Sequence, residues 1–466
     1  MSTFSGLRIA ASGLAAARAG MDVTGQNIAN QTTPGYTRQR LVQTAVSPTG
    51  TADAWARDVG GGVAIERIAR LGDEVMDARV RDALSASGFW SARASSAAAV
   101  EKTLAEPSDT SLSAGLGRFW AAWSDLANTP APATAQVVLA RAGALAAQIA
   151  TGYDQIAGQW SGLRDQLDRD VATVNDVAAQ VATLNAQIRT AAQSGRGANE
   201  LIDQRDLLAQ KLATAVGATG RVEQDATMTL RVDGNALVAG ETSRALVLTG
   251  PREMTATGRL TVAWSDRPEL PIAVTGGSVG AVIGSLAPAA EQGTLASAAR
   301  AFDEAAVSLA QAVNAVHRTG RTADGSPGGD VFVFAPGVPA ARGLRVAVAD
   351  LGQLALSAPG AGAKDTSVAD RISDLATAPS GPDATWSRFV VGFGVSVAGE
   401  RQRADAADRT AIAAIAGQQS GASVDGDEET ITLLTYQTAY QAAARVLTAV
   451  DEALDVLINR VGLVGR

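Results

Sequence analysis

The residues of this chain that could carry out chemistry are few. Its 466 residues include no cysteine and one histidine, His317. A disulfide, a cysteine nucleophile, an iron–sulfur cluster, a thiolate zinc site and any site that needs two histidines are therefore excluded. A Ser-His-Asp triad would have to use His317, which we interpret as a capping or packing residue near the end of a predicted helix.

Two acidic segments have cation-binding side chains but lack the spacing of a cation site. Asp425 to Glu429 does not follow the twelve-residue ligand pattern of a calcium loop. We interpret it as a helix N-terminus, where acidic side chains cap the backbone and favour the helix dipole. The turn from Asp324 to Asp330 is interpreted as a loop before a strand. The sequence predicts no metal, no cofactor and no enzyme.

Composition argues against nucleic-acid and membrane binding. The formal net charge is −8, and no basic run occurs. Hydrophobic residues make up 46% of the chain and charged residues 18%, so most of the chain should fold, into two to four domains. The N-terminus does not resemble a Sec signal peptide, because Arg8 and Arg18 interrupt its apolar runs. No apolar run of 18 residues predicts a membrane span.

Both ends of the chain carry heptad patterns typical of coiled coils. The N-terminal pattern stops at the turn cluster that contains Pro34 and Gly35, and the last 40 residues carry two seams offset by three positions. The first segment is rich in arginine and the second in acids, so residues 1–35 and 425–466 are predicted to pair. The predicted assembly interface consists of Leu7, Leu14, Met21, Ile28, Leu433, Tyr436, Tyr440, Leu447, Val450, Leu454, Leu457 and Val461.

The region between the two ends alternates between helical and β patterns. Sustained apolar periodicity predicts a helical rod domain from residues 36–216, 278–318 and 366–424. Stretches rich in Thr, Val and Gly predict a β-rich outer domain from residues 217–277 and 319–365. The predicted fold class is mainly α with β insertions. The chain would be elongated and multidomain, with paired terminal coiled-coil helices, a long antiparallel helical rod and a small outer β-rich domain.

A signature after the first helix resembles that of bacterial flagellar rod, hook and hook-associated proteins. It reads Asn-Ile-Ala-Asn, then Thr-Pro-Gly-Tyr-Thr-Arg-Gln. Its physical interpretation is a helix end followed by a Pro-Gly turn that redirects the chain from an inner coil to an outer layer. The motif residues are Asn27, Ile28, Ala29, Asn30, Pro34, Gly35 and Tyr36.

Three further blocks are similar to the hook-associated protein 1 family within that group. One runs from Leu184-Asn185 to Leu208 and includes Gln204, Arg205 and Asp206, which we interpret as a helix-surface or interdomain polar contact. The second surrounds His317, and the third is the acidic segment that leads to Arg445. The blocks follow the order of the family from one end of the chain to the other.

The resemblance implies a structural subunit of the bacterial flagellum that forms a ring between hook and filament. It implies an extracellular location reached through the flagellar type III apparatus without a Sec signal peptide. The implied partners are the hook protein, the second hook-associated protein, further copies of this chain and an export chaperone on the C-terminal helix, with no nucleic acid and no membrane. A lone helix pair leaves apolar side chains uncovered, so the termini are predicted to order on assembly.

Two alternatives stay open from the sequence. The first is another axial protein, such as a hook or filament subunit, and the block around Gln204 argues against it. The second is a secreted hydrolase on a helical scaffold, and the lack of a recognised catalytic constellation argues against that.

Overall fold

The computed structural model describes residues 3–47, 60–362, 364–456 and 458. Within these ranges the chain is mainly α-helical with small antiparallel sheets, so the predicted fold class is confirmed. The predicted interface residues Leu457 and Val461 lie outside the described ranges.

The two ends of the chain form a helix pair. Helix α1 (Thr3–Ala29) packs along α11 (Gly426–Asp455), the last helix. Strands β1 (Gln39–Ala45) and β2 (Val63–Arg70) follow α1 as an antiparallel hairpin. The Val63 N–H at the start of β2 donates to the hydroxyl of Ser12, 3.2 Å away, and this hydrogen bond attaches the hairpin to α1.

The helical domain is built on four long helices. These are α2 (Glu74–Leu104), α4 (Pro132–Gln193), α7 (Thr294–His317) and α10 (Pro382–Ala422). The shorter helices are α3 (Leu112–Asn128), α5 (Asn199–Val216), α6 (Gly277–Ser285), α8 (Ala340–Gly343) and α9 (Ser367–Ser373). At 1.5 Å per residue the 62 residues of α4 span about 93 Å, so the molecule is elongated.

The ends of the long helices follow from local sequence. Asp73 caps α2 by accepting from the backbone N–H groups of Val75 and Met76. Pro132 occupies the first turn of α4, where a missing N–H is tolerated. The helix ends before Gly195, which has φ of +68°, a left-handed conformation that favours glycine.

One 18-residue window of α4 has a mean hydropathy of 1.2 and is long enough to cross a membrane by length and composition alone. A core helix has the same properties, and α4 packs against α3, α5 and α7. Its apolar side chains are therefore used within the protein.

Aromatic side chains form the centre of the helical domain. Phe119, Trp120 and Trp123 on α3 are buried. The ring of Phe119 packs against Phe332 at 5.9 Å between centroids, which joins α3 to a later strand. The aromatic face of α3 is therefore a packing surface between elements.

Two buried tryptophans offer a matched test of this core. Trp160 and Trp123 are 1% and 0% exposed, but only the Trp160 indole N–H donates, to the Leu286 carbonyl at 2.9 Å. The Trp123 N–H finds no acceptor among the described residues. We expect Trp160→Phe to lower the free energy of unfolding by about 1–3 kcal/mol more than Trp123→Phe, since it strands a buried carbonyl. Urea unfolding of both variants measures the difference, and equal losses would contradict the assignment.

The β insertions form separate sheets in the described part of the chain. The first contains a four-stranded and a three-stranded sheet, and the second a two-stranded sheet. The first consists of β3 (Thr219–Val222), β4 (Met228–Val232), β5 (Asn235–Ala239), β6 (Thr242–Ser243), β7 (Leu246–Thr249), β8 (Thr261–Trp264) and β9 (Arg267–Ile272). The second consists of β10 (Phe332–Phe334) and β11 (Leu344–Val346). The predicted grouping of both insertions into one outer domain stays a prediction.

Asparagine side chains attach the insertions to the helices. Asn175 on α4 exchanges two hydrogen bonds with the backbone of Leu246, at 2.9 and 2.7 Å. Asn185 donates to the carbonyls of Met228 and Gly240 and accepts from the Met228 N–H. Asn314 on α7 binds the backbone of β10 in the same way. Each amide satisfies strand groups that would otherwise be buried without partners.

Candidate functional site

The residues of the family signature and of the block around Arg205 meet where the helix pair joins the helical domain. The end of α1, the turn that follows it, β2, α5 and the connection from α10 to α11 surround a cleft of about 320 Å³. We call this region the polar junction and define it by its buried or half-buried polar side chains. These are Asn27, Tyr36, Arg38, Arg70, Asp203, Asp206 and Glu429.

Asn27 is the most connected residue of the polar junction. Asn27 is 1% exposed, and its amide group donates to the Gln39 carbonyl at 2.9 Å and to Glu429 Oε2 at 3.0 Å. Its Oδ1 accepts from the Tyr36 hydroxyl and from the Gln39 N–H, both at 2.9 Å. Burial raises the pKa of Tyr36 to about 12, with Glu200, Asp203 and Glu429 adding to the effect, so the hydroxyl stays a donor. One amide thereby joins α1, the turn, β1 and α11.

Arg38 holds the first turn of α11. Its guanidinium binds Glu429 at 2.7 Å and Glu428 at 2.8 Å. Its backbone N–H donates to the carbonyl of Ala422, the last residue of α10. The single residue Arg38 therefore fixes the direction in which the chain leaves α10 and enters α11.

Arg70 at the end of β2 forms ion pairs with two aspartates of α5. Its guanidinium binds Asp203 at 2.5 Å and Asp206 at 2.8 Å and lies 3.8 Å from Asp77 on α2. Asp203 also accepts the backbone N–H of Thr37 at 3.0 Å. Burial raises the pKa of both Asp203 and Asp206, and the charge of Arg70 opposes that rise. The hairpin and the turn are thus bound to the helical domain through buried charge.

The remaining predicted motif residues are placed differently. Arg205 is buried and donates to the Ala226 carbonyl at 2.7 Å, so it faces the first β insertion, whereas Gln204 is exposed. Gly35 has φ of +79° and lies against Leu207 of α5. Ala29, Asn30, Pro34 and Ile28 lie at or near the surface of the helix end and turn.

Glycines of α1 lie where this helix approaches α11. Gly6, Gly13 and Gly20 face Val450, Ala443 and Tyr436. A Cβ at Gly20 would overlap the Tyr436 ring, so the helices approach each other closely there. The predicted residues Leu7, Leu14 and Met21 of α1 are half-buried, and Ile28 is 36% exposed. Those of α11 within the described ranges are half-buried: Leu433, Tyr436, Tyr440, Leu447, Val450 and Leu454.

Much apolar surface of α11 remains open. Glu429 is its one buried residue within the described ranges. Large apolar side chains on the helix and just beyond its end are about half exposed or more, namely Ile431, Leu434, Val446, Val456 and Ile458. The isolated subunit therefore leaves the outer side of this helix without a partner.

Four residues of the polar junction were not among the predicted site residues: Arg38, Arg70, Asp203 and Glu429. Arg70 ends a strand with no distinctive motif, and its partners Asp203 and Asp206 lie more than a hundred residues away in the chain. The available signal was in the block around Arg205, where three charged side chains, Asp203, Arg205 and Asp206, share one short helical stretch.

The candidate catalytic residues are engaged in structural contacts. His317 is fully buried, with Nδ1 at 2.8 Å from the Gly329 carbonyl and Nε2 accepting from the Ala355 N–H. Its predicted packing role is confirmed. Residues 276–280 have G-x-S-x-G spacing, but the occupied ring nitrogens of His317 leave Ser278 without a histidine base. Asp425 caps α11, as predicted. The described residues contain no group of three or more acids or histidines arranged for a metal.

We expect the free energy of unfolding to decrease as the pH falls, because His317 is buried. Burial lowers its pKa below the ordinary value of 6.5, so below that pH the unfolded chain binds a proton that the folded chain resists. The free energy of unfolding should therefore decrease as the pH falls from 7.5 to 5.5. Urea midpoints at the two pH values measure this slope. The variant His317→Gln should show a shallower slope, and equal slopes in both chains would contradict the prediction.

Three family descriptions match this chain. Residues 97–332, just over half of it, match the helical domain of the flagellar hook-associated protein FlgK. Residues 7–37 match the flagella basal body rod protein family, and residues 416–460 match the C-terminal region of flagellar basal body rod FlgEFG proteins. The last two ranges contain most of α1 and of α11.

Relatives with assigned names agree with these matches. The chain is 28% identical to flagellar hook-associated protein 1 of Bacillus subtilis, over 100% of both chains. It is 32% identical to the protein of that name from Salmonella typhimurium, over 69% of this chain and 58% of the relative. It is 30% identical to flagellar hook-associated protein 1 of Escherichia coli, over 70% of this chain and 59% of the relative. The chain thus spans less than two thirds of these two relatives.

A solved structure shows a partial similarity. The flagellar hook junction protein FlgK from Burkholderia pseudomallei is 23% identical, with a TM-score of 0.46, over 55% of this chain and 46% of that chain.

Proposed function

The chain belongs to the flagellar hook-associated protein 1 family, and we propose that it is a structural subunit forming the junction between flagellar hook and filament. The observation that carries the proposal is the incompletely covered helix pair. Helix α11 leaves large apolar side chains open, and each Leu-sized side chain that becomes buried contributes roughly 1.5–3 kcal/mol. We propose that neighbouring axial subunits cover this surface.

The polar junction supports a mechanical role. A helix pair that must transmit force needs a fixed attachment to the rest of the subunit. Arg38 and Arg70 supply charged contacts on two sides of the same turn, to α11 and to α5. The helical domain would then occupy a layer around the helix pair, with the β insertions further out. In a ring of such subunits, one face would contact the hook and the other the filament side.

The finer parts of the proposal follow from family membership. We propose the hook protein and the second hook-associated protein as axial partners, further copies of this chain as ring neighbours, and an export chaperone as the partner of α11 before assembly. The subunit would reach the cell exterior through the flagellar type III apparatus. It would act without catalysis, since the candidate catalytic histidine is bound to backbone on both ring nitrogens.

Deletion of the gene tests the proposed place in the flagellum. We expect cells with hooks but no filaments by electron microscopy, and filament subunits shed into the medium. Normal filaments would contradict the proposal. Spontaneous growth of long polymers from the purified chain would instead favour a hook or filament subunit.

A matched pair of exposed residues tests the proposed assembly surface. Ile431 on α11 and Val391 on α10 are 65% and 63% exposed. We expect Ile431→Lys to prevent filament formation in the deletion strain, because a charge at a buried subunit interface costs several kcal/mol. Val391→Lys should restore filaments. Filament counts after complementation measure both, and restoration by Ile431→Lys would contradict the assignment of this surface.

A further inference from the structure

We infer that two neighbouring contacts at the base of the terminal helices, Gly20 with Tyr436 and Asn27 with Glu429, set the register in which α1 and α11 pair. The two helices would then pair in one register within the single subunit, before assembly, whereas the sequence predicts that the termini order on assembly. A test of this register is therefore independent of where the subunit is placed in the flagellum.

The contacts between the two helices follow one antiparallel register. Each step of seven residues forward on α1 corresponds to seven residues back on α11. The pairs are Gly6 with Val450, Gly13 with Ala443, Gly20 with Tyr436 and Asn27 with Glu429. A slip by one heptad would preserve glycines opposite small or apolar residues at several of these positions. The heptad pattern alone therefore leaves the register open, and particular residues must select it.

Gly20 selects the register by shape. The buried backbone of this residue leaves a space that the ring of Tyr436 fills, so a Cβ would overlap the ring. Gly6 and Gly13 are less demanding, since a Cβ would lie 3.5 Å from Val450 and 3.8 Å from Ala443, which is ordinary contact. A slip that moved the tyrosine ring away from Gly20 would leave a gap at the most tightly packed position.

Asn27 selects the register by hydrogen bonding. A slip by one heptad would remove Glu429 from the Asn27 amide and from Arg38, to which it is bound at 3.0 and 2.7 Å. In the observed register this carboxylate is 2% exposed and fully paired, and a slip would cost it both partners. A buried asparagine fixes register in coiled coils for the same reason. Both selecting contacts lie at the base of the pair, beside the polar junction.

Cysteine pairs test the register directly, because the chain has no native cysteine. The pair Gly13→Cys with Ala443→Cys places Cβ atoms about 3.8 Å apart, the mean for a disulfide. The pair Gly6→Cys with Ala443→Cys is displaced by one heptad, roughly 10 Å along the helix, which is beyond disulfide reach. We expect the first pair to oxidise in the purified full chain at least about tenfold faster than the second. Equal rates would overturn the inference.

Further substitutions in the first pair identify the residues that set the register. Gly20→Val should slow its oxidation about tenfold, and adding Tyr436→Ala should restore most of the rate by making room. Gly25→Val is the matched control on the same helix, since a Cβ there meets nothing within 4 Å, and it should change the rate less than about twofold.

Asn27→Ala should speed oxidation of the displaced pair. If Gly20→Val and Gly25→Val behave alike, or if Asn27→Ala leaves the displaced pair unchanged, the assignment is wrong. The melting temperature of the helical domain, followed in every variant, separates these effects from unfolding.

Discussion

Replacing Arg70 with methionine should lower the free energy of unfolding by about 3–5 kcal/mol, the range seen when one partner of a buried ion pair is removed. Methionine retains most of the aliphatic length, so the loss reports on charge. Without the guanidinium, the buried carboxylates of Asp203 and Asp206 would both lose their nearest cation. Among the described residues, Asp203 would keep only the Thr37 N–H and Asp206 only Arg205, 3.5 Å away. Urea unfolding of the purified chain measures the change.

Arg67 provides the control for Arg70, because it lies on the same strand and is exposed. Arg67→Met should alter the free energy of unfolding by less than about 0.5 kcal/mol, as is usual for surface substitutions. Arg70→Lys should be intermediate, since an ammonium group keeps the charge but cannot bind two carboxylates in the same fork geometry. Equal effects of Arg70→Met and Arg67→Met would show that the buried charges are dispensable.

Removing residues 425–466 should abolish filament formation while leaving the helical domain folded. Within the described ranges α11 contributes one buried residue, Glu429, so its loss takes little from the core. We expect the melting temperature of the helical domain to stay within about 4 °C of the full chain. Thermal unfolding and complementation of the deletion strain measure the two effects separately.

A longer C-terminal truncation provides the comparison, because it removes part of the core. Ending the chain after Ser396 also removes more than half of α10, including buried Val397 and Glu400, the latter paired with Arg93. That chain should unfold at much lower temperature or fail to fold. A cut after Val424 that behaved like the longer truncation would contradict the separation of assembly surface from core.

Elements with strong local patterns could be predicted from the sequence. The capped start of α11 and the end of α1 at the Pro-Gly turn each depend on a few adjacent residues. The glycines that bring α1 close to α11 were not predicted, because a coiled-coil seam is identified from large apolar residues at heptad spacing. Close helix packing depends on the absence of side chains, which an apolar pattern does not register.

The polar junction could be predicted only in part. The signature around Asn27 and the block around Arg205 marked two of its sides, but Arg70 had no local feature to identify it. An ion pair between residues more than a hundred positions apart is decided by tertiary packing, and no periodicity reports it. The side-chain amides of Asn175, Asn185 and Asn314 were hidden for the same reason, since a buried asparagine on a helix resembles any polar residue until the strand it binds is known.

Those asparagines have a consequence for the turns of the insertions. Each insertion is held by hydrogen bonds between side-chain amides and the backbone, which every amino-acid sequence supplies. The identity and length of exposed turns, such as Asp233-Gly234 between β4 and β5, are therefore decoupled from the supporting helices. We expect an epitope inserted at such a turn to be displayed without a matching change in α4 and without disturbing the pair of α1 and α11.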